Sequence, residues 1–593
     1  MTKKPESATR GHGGLRGLKF VQTSSISGGR FGRMFRWLPG ETYERKDLER
    51  LAKKMIQLES AKLRTTEAHV PLGEPFTEGP DILFKTRQEL PAGELLDTAF
   101  GESEAGDENP TIPAGYTYFG QFIDHDLTFD PNSSLQKQND PDALEDFRTP
   151  RFDLDSVYGR GPDDQPYLYD NSPGADGFHF LLGREDNGKL RVGELPRNVD
   201  GRALLGDPRN DENVLICQLQ AVFLNFHNKV FDTLAAAARP TRSKHDIFVE
   251  TQRIVRWHYQ YLFLNDYLPR VVGQSTASRV LKGGEHGKPH LQFYKPKLGQ
   301  AYMPVEFSVA AFRFGHSMVR PSYALRPGDQ NVGGSQEKPF TGDPKQRFHR
   351  IPVFSDERAR GANLSGFGKL FPRWEIDWNL FFSKHDFQVR PLKSGDDKDV
   401  LEVFGTKTQP GYRIDTLLVD PLAMLPPNVA KSGNMADGIP VLAYRNLVRS
   451  SEFALPSGQS VATALGVTPL SHEELWSDME GEDADLFKDP KKNPFSYRAP
   501  LWFYILREAE RTKKRGLEHD KKGGHHLGEV GGRIVAEVLV GIAESDHTSY
   551  LYQDSTWTPD KERSKSGFDP KASLKTMFEL IEWTTGGDMS FLT

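Results

Sequence analysis

The sequence has almost no cysteine, no apolar stretch long enough to cross a membrane and no excess of positive charge. Cys217 is the one cysteine among 593 residues, so an intrachain disulfide and a cysteine-based metal cluster are excluded. It lies in an apolar stretch, which predicts a small buried side chain. The formal charge of −6 argues against nucleic acid as the main partner.

The first forty residues differ in composition from the rest of the chain. Residues 1–10 are polar and contain no apolar core of a leader peptide, so we expect a protein that is cytoplasmic or exported by a non-classical route. Basic residues outnumber acidic ones over 1–40, and no clear linker or internal repeat follows. We therefore predict an N-terminal extension over 1–40 and one large domain over 41–593, acting as a monomer.

The spacing of apolar residues predicts a mostly α-helical fold. Apolar side chains recur at three- and four-residue intervals over 214–238 and 247–268, which indicates two core helices. Two more helices are predicted over 500–511 and 532–545. The long polar connections between such segments are unusual in a simple bundle. They favour a large single-domain α-fold with helices around a buried cofactor and long loops.

A segment predicted to be helical over 115–129 carries the first candidate chemistry. On a helix, Gln121 and His125 lie one turn apart on the same face. Asp124 and Asp126 then lie about 100° to either side of His125. A neutral imidazole here can take a proton from one oxygen of a bound peroxide and return it to the other. The alternative is a buried, hydrogen-bonded histidine between two solvated aspartates.

Polar residues alternate in the loop that follows this segment. The alternating positions are Thr149, Arg151, Asp153 and Asp155. An extended chain can aim two carboxylates, the threonine oxygens and a backbone carbonyl at one point, where Asp126 would complete an oxygen cage for calcium. Such a cage would tie the helix of His125 to the loop. The alternative is a solvated acidic loop.

Five short motifs, taken together, carry a resemblance to a known family. They read Gly-Gln-Phe-Ile-Asp-His-Asp at 120–126, Thr-x-Arg-x-Asp-x-Asp at 149–155, Gly-Asp-Pro-Arg-Asn-Asp-Glu at 206–212, Phe-Arg-Phe-Gly-His at 312–316 and Arg-Asn-Leu-Val-Arg at 445–449. In order and chemistry they resemble the animal-type haem peroxidases of the peroxidase–cyclooxygenase superfamily. The chain looks like a bacterial member.

The resemblance implies a distal side, where peroxide would react. His125 becomes the distal acid and base, and Gln121 its neighbour in the peroxide and halide pocket. Arg209 becomes the distal cation, since a guanidinium keeps its charge and favours charge separation between the peroxide oxygens.

The resemblance also implies a proximal side, where the iron would be held. His316 would bind the haem iron through one ring nitrogen and donate its other N–H to Asn446. Arg449 and Arg313 would lie near a haem propionate. Pro321 would end the helix that carries His316.

Three further histidines receive no chemical role. His227 matches a family position on a packing helix and is interpreted as structural. His525 and His526 are adjacent in a glycine-rich loop and are expected to be exposed.

The implied activity is that of a haem b peroxidase with structural calcium. Hydrogen peroxide would oxidise the ferric haem to an oxoiron(IV) state, which halide, thiocyanate or phenolic donors would then reduce. In mammalian relatives two carboxylates form ester bonds to the haem, and the matching residues here are Asp124 and Glu212. The alternative is that both carboxylates only form hydrogen bonds in the pocket.

Two other functions are considered. A fatty-acid dioxygenase on the same scaffold would carry a tyrosine three residues before the proximal histidine, where this chain has Arg313. A catalytically weak adhesion protein would keep the fold for binding, and the complete set of candidate residues argues against it.

Overall fold

The computed structural model of the chain has a mostly α-helical fold, as the apolar spacing predicts. The residues that it describes are 31–57, 106–128, 150–185, 188–239, 241–326, 350–354, 363–370, 374–392, 399–423, 425, 441–481 and 483–591. Their α-helices are α1 (Arg45–Lys54), α2 (Gly115–Leu127), α3 (Asp155–Tyr158), α4 (Val214–Ala237), α5 (Lys244–Leu262), α6 (Leu268–Val272), α7 (Gln274–Lys282), α8 (Leu442–Glu452), α9 (Gly458–Ala464), α10 (His472–Trp476), α11 (Ala484–Lys488), α12 (Leu501–Ala509), α13 (Glu529–Ser545), α14 (Tyr550–Gln553), α15 (Glu562–Ser566) and α16 (Met577–Thr584).

Short strands pair two by two within the described ranges. They are β1 (Phe31–Gly32), β2 (Ile56–Gln57), β3 (Glu108–Pro113), β4 (Gly183–Arg184), β5 (Leu190–Arg191), β6 (Met303–Pro304), β7 (Ser322–Ala324), β8 (Arg350–Pro352), β9 (Gln388–Pro391), β10 (Leu401–Phe404), β11 (Pro410–Tyr412) and β12 (Leu418–Val419). The pairs β1–β6 and β2–β12 are parallel, and β3–β11, β4–β5, β7–β8 and β9–β10 are antiparallel. Three of these pairs, β1–β6, β2–β12 and β3–β11, join segments that are more than 200 residues apart in sequence.

The long helix α4 forms the centre of the core. It follows Asn213, whose side-chain oxygen accepts hydrogen bonds from the N–H groups of Leu215 and Ile216 at 3.1 and 2.9 Å. Most of its side chains are buried, and Cys217 is among them, as predicted. Helix α5 packs along α4.

Two predicted helices differ in detail from their predictions. The one predicted over 247–268 is divided, because a π-helical turn over Phe263–Tyr267 separates α5 from α6. The one predicted over 532–545 begins three residues earlier, as α13. There the Glu508 carboxylate accepts hydrogen bonds from the N–H groups of Val530 and Gly531, which stabilises the first turn.

Helix α2 is held against α4 by aromatic packing. Phe122 stacks on Phe223, with ring centroids 4.6 Å apart and ring planes 9° from parallel. Loss of one such buried ring costs about 3–5 kcal/mol of stability. The helix that carries His125 is therefore fixed by the core.

The chain immediately before α1 packs on the body. Met34 and Phe35 are buried, and their N–H groups each donate a hydrogen bond of 3.0 Å to the Glu306 carboxylate. Residues 1–30 of the predicted extension lie outside the described residues, and the boundary at residue 40 stays a prediction. In the part of the chain that the structure describes, no helix is long and apolar enough to cross a membrane.

Candidate active site

Helix α2 confirms the helix predicted over 115–129, and two glycines let it approach its neighbours. A Cβ on Gly115 would lie 2.5 Å from the Phe382 ring, and a Cβ on Gly120 would lie 2.5 Å from the Tyr267 hydroxyl. Any side chain at these positions would push the helix outward. The two glycines thus fix the depth at which the candidate residues of α2 lie.

His125 is buried on α2 and faces two residues of the segment that precedes α4. Its Nδ1 atom lies 2.7 Å from Asn210 Oδ1, and its Nε2 atom lies 3.9 Å from Glu212 Oε1. Only 5% of the residue is exposed. The alternative of two solvated aspartates around a core histidine is wrong for Asp126, which is fully buried.

Gln121 lies beside His125 and shares Glu212 with it. Its Nε2 atom donates a hydrogen bond to Glu212 Oε1, and its Oε1 atom accepts one from Asn213 at 3.3 Å. Burial raises the pKa of Glu212 to about 7, helped by the carboxylates of Asp207 and Asp124. This carboxyl group therefore keeps its proton to a higher pH than a solvent-exposed glutamate does.

Arg209 holds the C-terminal end of α2. Its Nη2 atom donates to the backbone carbonyl of His125 at 3.0 Å and to that of Thr128. The same guanidinium forms a 2.8 Å ion pair with the buried Asp207. Its charge also lowers the pKa of Glu212. Arg209 thus already donates hydrogen bonds to the carbonyls at the end of α2, and its role as a distal cation stays a prediction.

Asp124 links the His125 side of the site to the His316 side. Burial raises its pKa, and the guanidinium groups of Arg209 and Arg313 act against that rise. Arg313 belongs to the segment that carries His316. Ester bonds from Asp124 and Glu212 stay a prediction, although the charge of Asp124 helps to raise the pKa of Glu212.

His316 ends a 3-10 turn and not an α-helix. A π-helical turn over Glu306–Ala310 leads into the 3-10 turn Ala311–His316, which packs against α2. The expectation that Pro321 ends the helix of His316 is wrong. The helical turn has already ended at His316, and Pro321 directly precedes β7, where its carbonyl accepts a backbone hydrogen bond from Val353.

The imidazole of His316 is neutral and lies against Asn446. Burial, followed by the charges of Arg313 and Arg445, lowers the pKa of His316 to about 3, and the neutral ring is the form that binds metals. His316 Nδ1 lies 2.9 Å from Asn446 Nδ2, while Asn446 Oδ1 accepts a 3.4 Å hydrogen bond from Arg313.

The predicted partners, His316 and Asn446, are thus in contact, but the Asn446 amide is turned the other way from the prediction. Its nitrogen faces the ring, so Nδ1 accepts. Donation from His316 Nδ1 to Asn446 requires the amide to rotate by 180°, which would also break the hydrogen bond that Arg313 donates to the Asn446 oxygen.

Arg445 is the residue that the sequence interpretation missed. It lowers the pKa of both Glu212 and His316, so its guanidinium lies within electrostatic range of both sides of the site. Arg449, the residue predicted to meet a propionate, lowers the pKa of Glu452. Its propionate role stays a prediction. The signal for Arg445 was its place directly before Asn446 on the same helix.

Three carboxylates converge beneath α2. One oxygen each of Asp126, Asp153 and Asp155 lies within 4.8 Å of the others. Between the two loop aspartates, Leu154 adopts φ 54°, and its N–H donates to Asp126 Oδ2 at 3.3 Å. Three carboxylates this close repel one another, and oxygen ligands of this kind suit calcium.

The other two predicted calcium ligands are less well defined. Thr149 lies outside the described residues, and Arg151 is partly buried at the start of the described loop. The geometry therefore fits calcium at three of the five predicted ligands.

Parts of the sequence of this chain resemble known peroxidases. Residues 147–349 match the animal haem peroxidase family. This matching segment contains Arg209, Arg313 and His316, while His125 and Asn446 lie outside it. The chain is 26% identical over 284 residues to a peroxidase-like protein of Margaritifera margaritifera, which is 39% of this chain and 34% of that protein. It is 32% identical over 121 residues to thyroid peroxidase of Sus scrofa, or 20% of this chain and 12% of that protein.

Two solved structures share the fold of this chain. Peroxidase A of Dictyostelium discoideum matches with a TM-score of 0.51 and 16% identity over 85% of this chain and 90% of its own. A fatty acid alpha-dioxygenase of Oryza sativa matches with a TM-score of 0.52 and 15% identity over 97% of this chain and 92% of its own. The chain therefore has a peroxidase-like fold that a peroxidase and a fatty acid dioxygenase both share, so the fold alone does not distinguish these two activities. The bacterial origin stays a prediction.

Of the three remaining histidines, the interpretation of His227 is confirmed, and the expected exposure is wrong for His525 and also for His526, which is partly buried. His227 is structural, as predicted, since it is buried and contacts the Tyr158 hydroxyl at 2.9 Å. His525 is buried and not exposed. Its Nε2 atom lies 2.8 Å from Asp520, which also pairs with Arg413, and this internal ion network supplies the partners that allow burial.

Proposed function

We propose that the chain is a haem peroxidase that uses hydrogen peroxide to oxidise small donors. The observation that carries the proposal is the arrangement of His125 and His316 on two elements packed against each other. Arg313 and Arg445 each act electrostatically on a carboxylate of the His125 side and on His316. One histidine on each side, and two guanidinium groups whose charges act on both sides, suit a flat ligand with two negative charges.

The residues present fit haem as that ligand. His316 is neutral, and its Nε2 would bind iron once the proton lies on Nδ1, which requires the rotated orientation of the Asn446 amide. Arg313 and Arg445 offer two positive charges for the propionates. A Cβ on Gly315 would meet no described atom within 4 Å, so the backbone beside His316 borders open space. When bound, haem would supply an iron that binds peroxide and accepts its oxidising equivalents.

His125 is the residue that we assign to proton transfer. Its Nε2 atom would accept a proton from one peroxide oxygen and return it to the other, which then leaves as water. Burial of His125 keeps bulk water away, which strengthens the electrostatic contribution of neighbouring charges. The Gln121 amide, fixed by Glu212 and Asn213, would orient peroxide or a small donor beside it.

Calcium and ester bonds belong to the same proposal. Calcium would offset two of the three negative charges of Asp126, Asp153 and Asp155, and so connect α2 to the loop before α3. Asp124 and Glu212 would form the ester bonds to haem, a role supported by the electrostatic effect of Asp124 on the pKa of Glu212.

The nature of the donor and the rival activity can be tested on one purified sample. Haem is added to the full chain, and three reactions are followed. They are peroxide-dependent oxidation of a phenolic dye, peroxide-dependent oxidation of iodide or thiocyanate, and oxygen uptake with palmitic acid.

We expect a Soret band and peroxide-dependent turnover of the dye or the anion. Oxygen uptake with palmitic acid and no peroxide turnover would overturn the proposal in favour of a dioxygenase, although Arg313 stands where such enzymes carry a tyrosine. Absence of a Soret band would overturn it in favour of a binding protein.

A further inference from the structure

Three buried amide and carbonyl groups continue inward from His125. Asn210 Oδ1 lies 2.7 Å from His125 Nδ1, and Asn210 Nδ2 donates a 2.8 Å hydrogen bond to Gln220 Oε1. Gln220 Nε2 in turn donates a 3.3 Å hydrogen bond to the backbone carbonyl of Ser156. Asn210 and Gln220 are both fully buried.

The last acceptor in this series of hydrogen bonds is the Ser156 carbonyl, and it decides the direction of every earlier bond. The Ser156 carbonyl can only accept, so the nitrogen of the Gln220 amide must face it. The oxygen of Gln220 then faces Asn210 and must receive an N–H. Asn210 consequently presents its oxygen to His125, and only a proton on Nδ1 satisfies that contact.

We propose that Asn210 and Gln220 are positioning residues that hold His125 in the tautomer with the proton on Nδ1. The proposal rests on the proposed function, because that tautomer leaves Nε2 as the atom that accepts a proton from peroxide. Nε2 is also the ring nitrogen that faces Glu212, at 3.9 Å.

Burial makes this arrangement selective. If the Gln220 amide turned over, like groups would face each other at both of its contacts; if the Asn210 amide turned over to suit the other tautomer of His125, its oxygen would face the Gln220 oxygen. A buried polar group without its hydrogen bond is costly, so the reversed tautomer of His125 is disfavoured.

The chain of amides also ties His125 to the cluster of three carboxylates. Ser156 follows Asp155 directly in α3, and Asp155 belongs to that cluster. A Cβ on Gly206 would clash with the backbone carbonyls of both Asp155 and Ser156, so the segment that leads to Asn210 packs tightly on α3. The same short helix therefore positions the final acceptor of the chain and one carboxylate of the cluster.

The tautomer can be measured directly in the full chain. The protein is labelled with 15N at its histidine rings, and long-range 1H–15N correlations distinguish a ring nitrogen that carries a proton from one that does not. The His125 signals are identified by their loss in His125→Ala. We expect a protonated Nδ1 and an unprotonated Nε2 in the wild type, and the reverse assignment would overturn the proposal without any variant.

Substitutions then test which residues set the tautomer. Gln220→Met should give a mixture of both tautomers, whereas Gln220→Glu keeps an acceptor for Asn210 and should restore the wild-type pattern. Gln218→Met is the matched control, because Gln218 is a buried glutamine of the same helix whose hydrogen bonds go to Trp374 and Ile376. An unchanged tautomer in Gln220→Met, or an equal change in Gln218→Met, would overturn the proposal.

A kinetic measurement on the haem-loaded protein separates this proposal from the proposed function. Asn210→Leu should lower the rate constant for reaction with hydrogen peroxide by about tenfold or more, with the KM for the donor unchanged. A wild type with the expected tautomer and no peroxidase activity would contradict the function alone. Full activity in a variant whose His125 tautomer has changed would contradict the positioning role alone.

Discussion

The His125 side and the His316 side of the site are held in different ways. His125 lies on a regular helix, and its Nδ1 contact belongs to a chain of buried amides that ends on a backbone carbonyl. His316 ends a short 3-10 turn, and the Asn446 amide that contacts it is oriented by a 3.4 Å hydrogen bond from the donor-only guanidinium of Arg313. We infer that neutral buried amides set the hydrogen-bond direction at His125, whereas a charged guanidinium sets it at His316.

The largest expected effect comes from the His125 side. His125→Ala should keep the ferric haem spectrum but react with hydrogen peroxide at least about a hundredfold more slowly, because a positioned acid and base is lost. Stopped-flow mixing of the haem-loaded variant with peroxide measures the rate. His385→Ala serves as control, since His385 is exposed. A wild-type peroxide rate in His125→Ala would remove the distinction between the two sides.

The pKa of Glu212 gives a stability test of the same side. Because that pKa is raised from 4.5 to about 7, the folded chain keeps a proton that the unfolded chain loses between these pH values. The free energy of unfolding of the haem-free wild type should therefore fall by roughly 2–3 kcal/mol from pH 4.5 to 7 through this group, and stay level above pH 7. Glu212→Gln should lack this fall.

Urea unfolding at pH 5 and pH 7.5 measures the difference between the two proteins. The same dependence on pH in wild type and Glu212→Gln would show that the carboxyl group ionises normally in the folded chain.

Calcium removal should loosen the link between α2 and the loop before α3. A chelator should lower the melting temperature by about 2 °C or more and slow the reaction with peroxide, since the carboxylates of Asp126, Asp153 and Asp155 then repel. Asp153→Asn should weaken the response to calcium, whereas Asp163→Asn, at an exposed position of the same region, should not. Metal analysis without calcium, together with a melting temperature that ignores chelator, would contradict the site.

The smallest expected effect concerns the His316 side and the two arginines of α8. Arg445→Leu should raise the rate of haem loss about fivefold, because one partly screened charge contributes up to about 1 kcal/mol. Arg449→Leu is the matched variant and should have the smaller effect, since Arg449 acts on Glu452. Transfer of haem to an excess of apomyoglobin measures both rates. A larger effect for Arg449→Leu would restore the original assignment of the propionate contact.

The sequence predicted those features that depend on local periodicity. Gln121 and His125 share a face because a helix repeats every 3.6 residues, and Asp153 and Asp155 share a side because an extended loop alternates. Asp126 follows His125 on the same helix, and the prediction that its carboxylate meets those of Asp153 and Asp155 is consistent with the structure. The five-motif resemblance supplied the pairing of His316 with Asn446, which no local pattern contains.

Contacts between distant segments could not be predicted in this way. Asn210 reaches His125 across 85 positions because a 3-10 turn over Pro208–Asp211 presents its side chain to α2. His525 is buried because Asp520 and Arg413, which are 107 positions apart, form an ion pair beside it. Such contacts depend on how whole helices and loops pack together, and residue type alone does not reveal that packing.

Haem titration of His316→Ala beside His125→Ala tests most directly whether the two histidines have separate roles. Soret absorbance is recorded as haem is added to each full-length variant and to the wild type. We predict that His125→Ala binds haem as the wild type does, while His316→Ala forms no stable ferric complex. A wild-type Soret band and affinity in His316→Ala would contradict the assignment of this residue to the iron, and with it the division of the site into two sides.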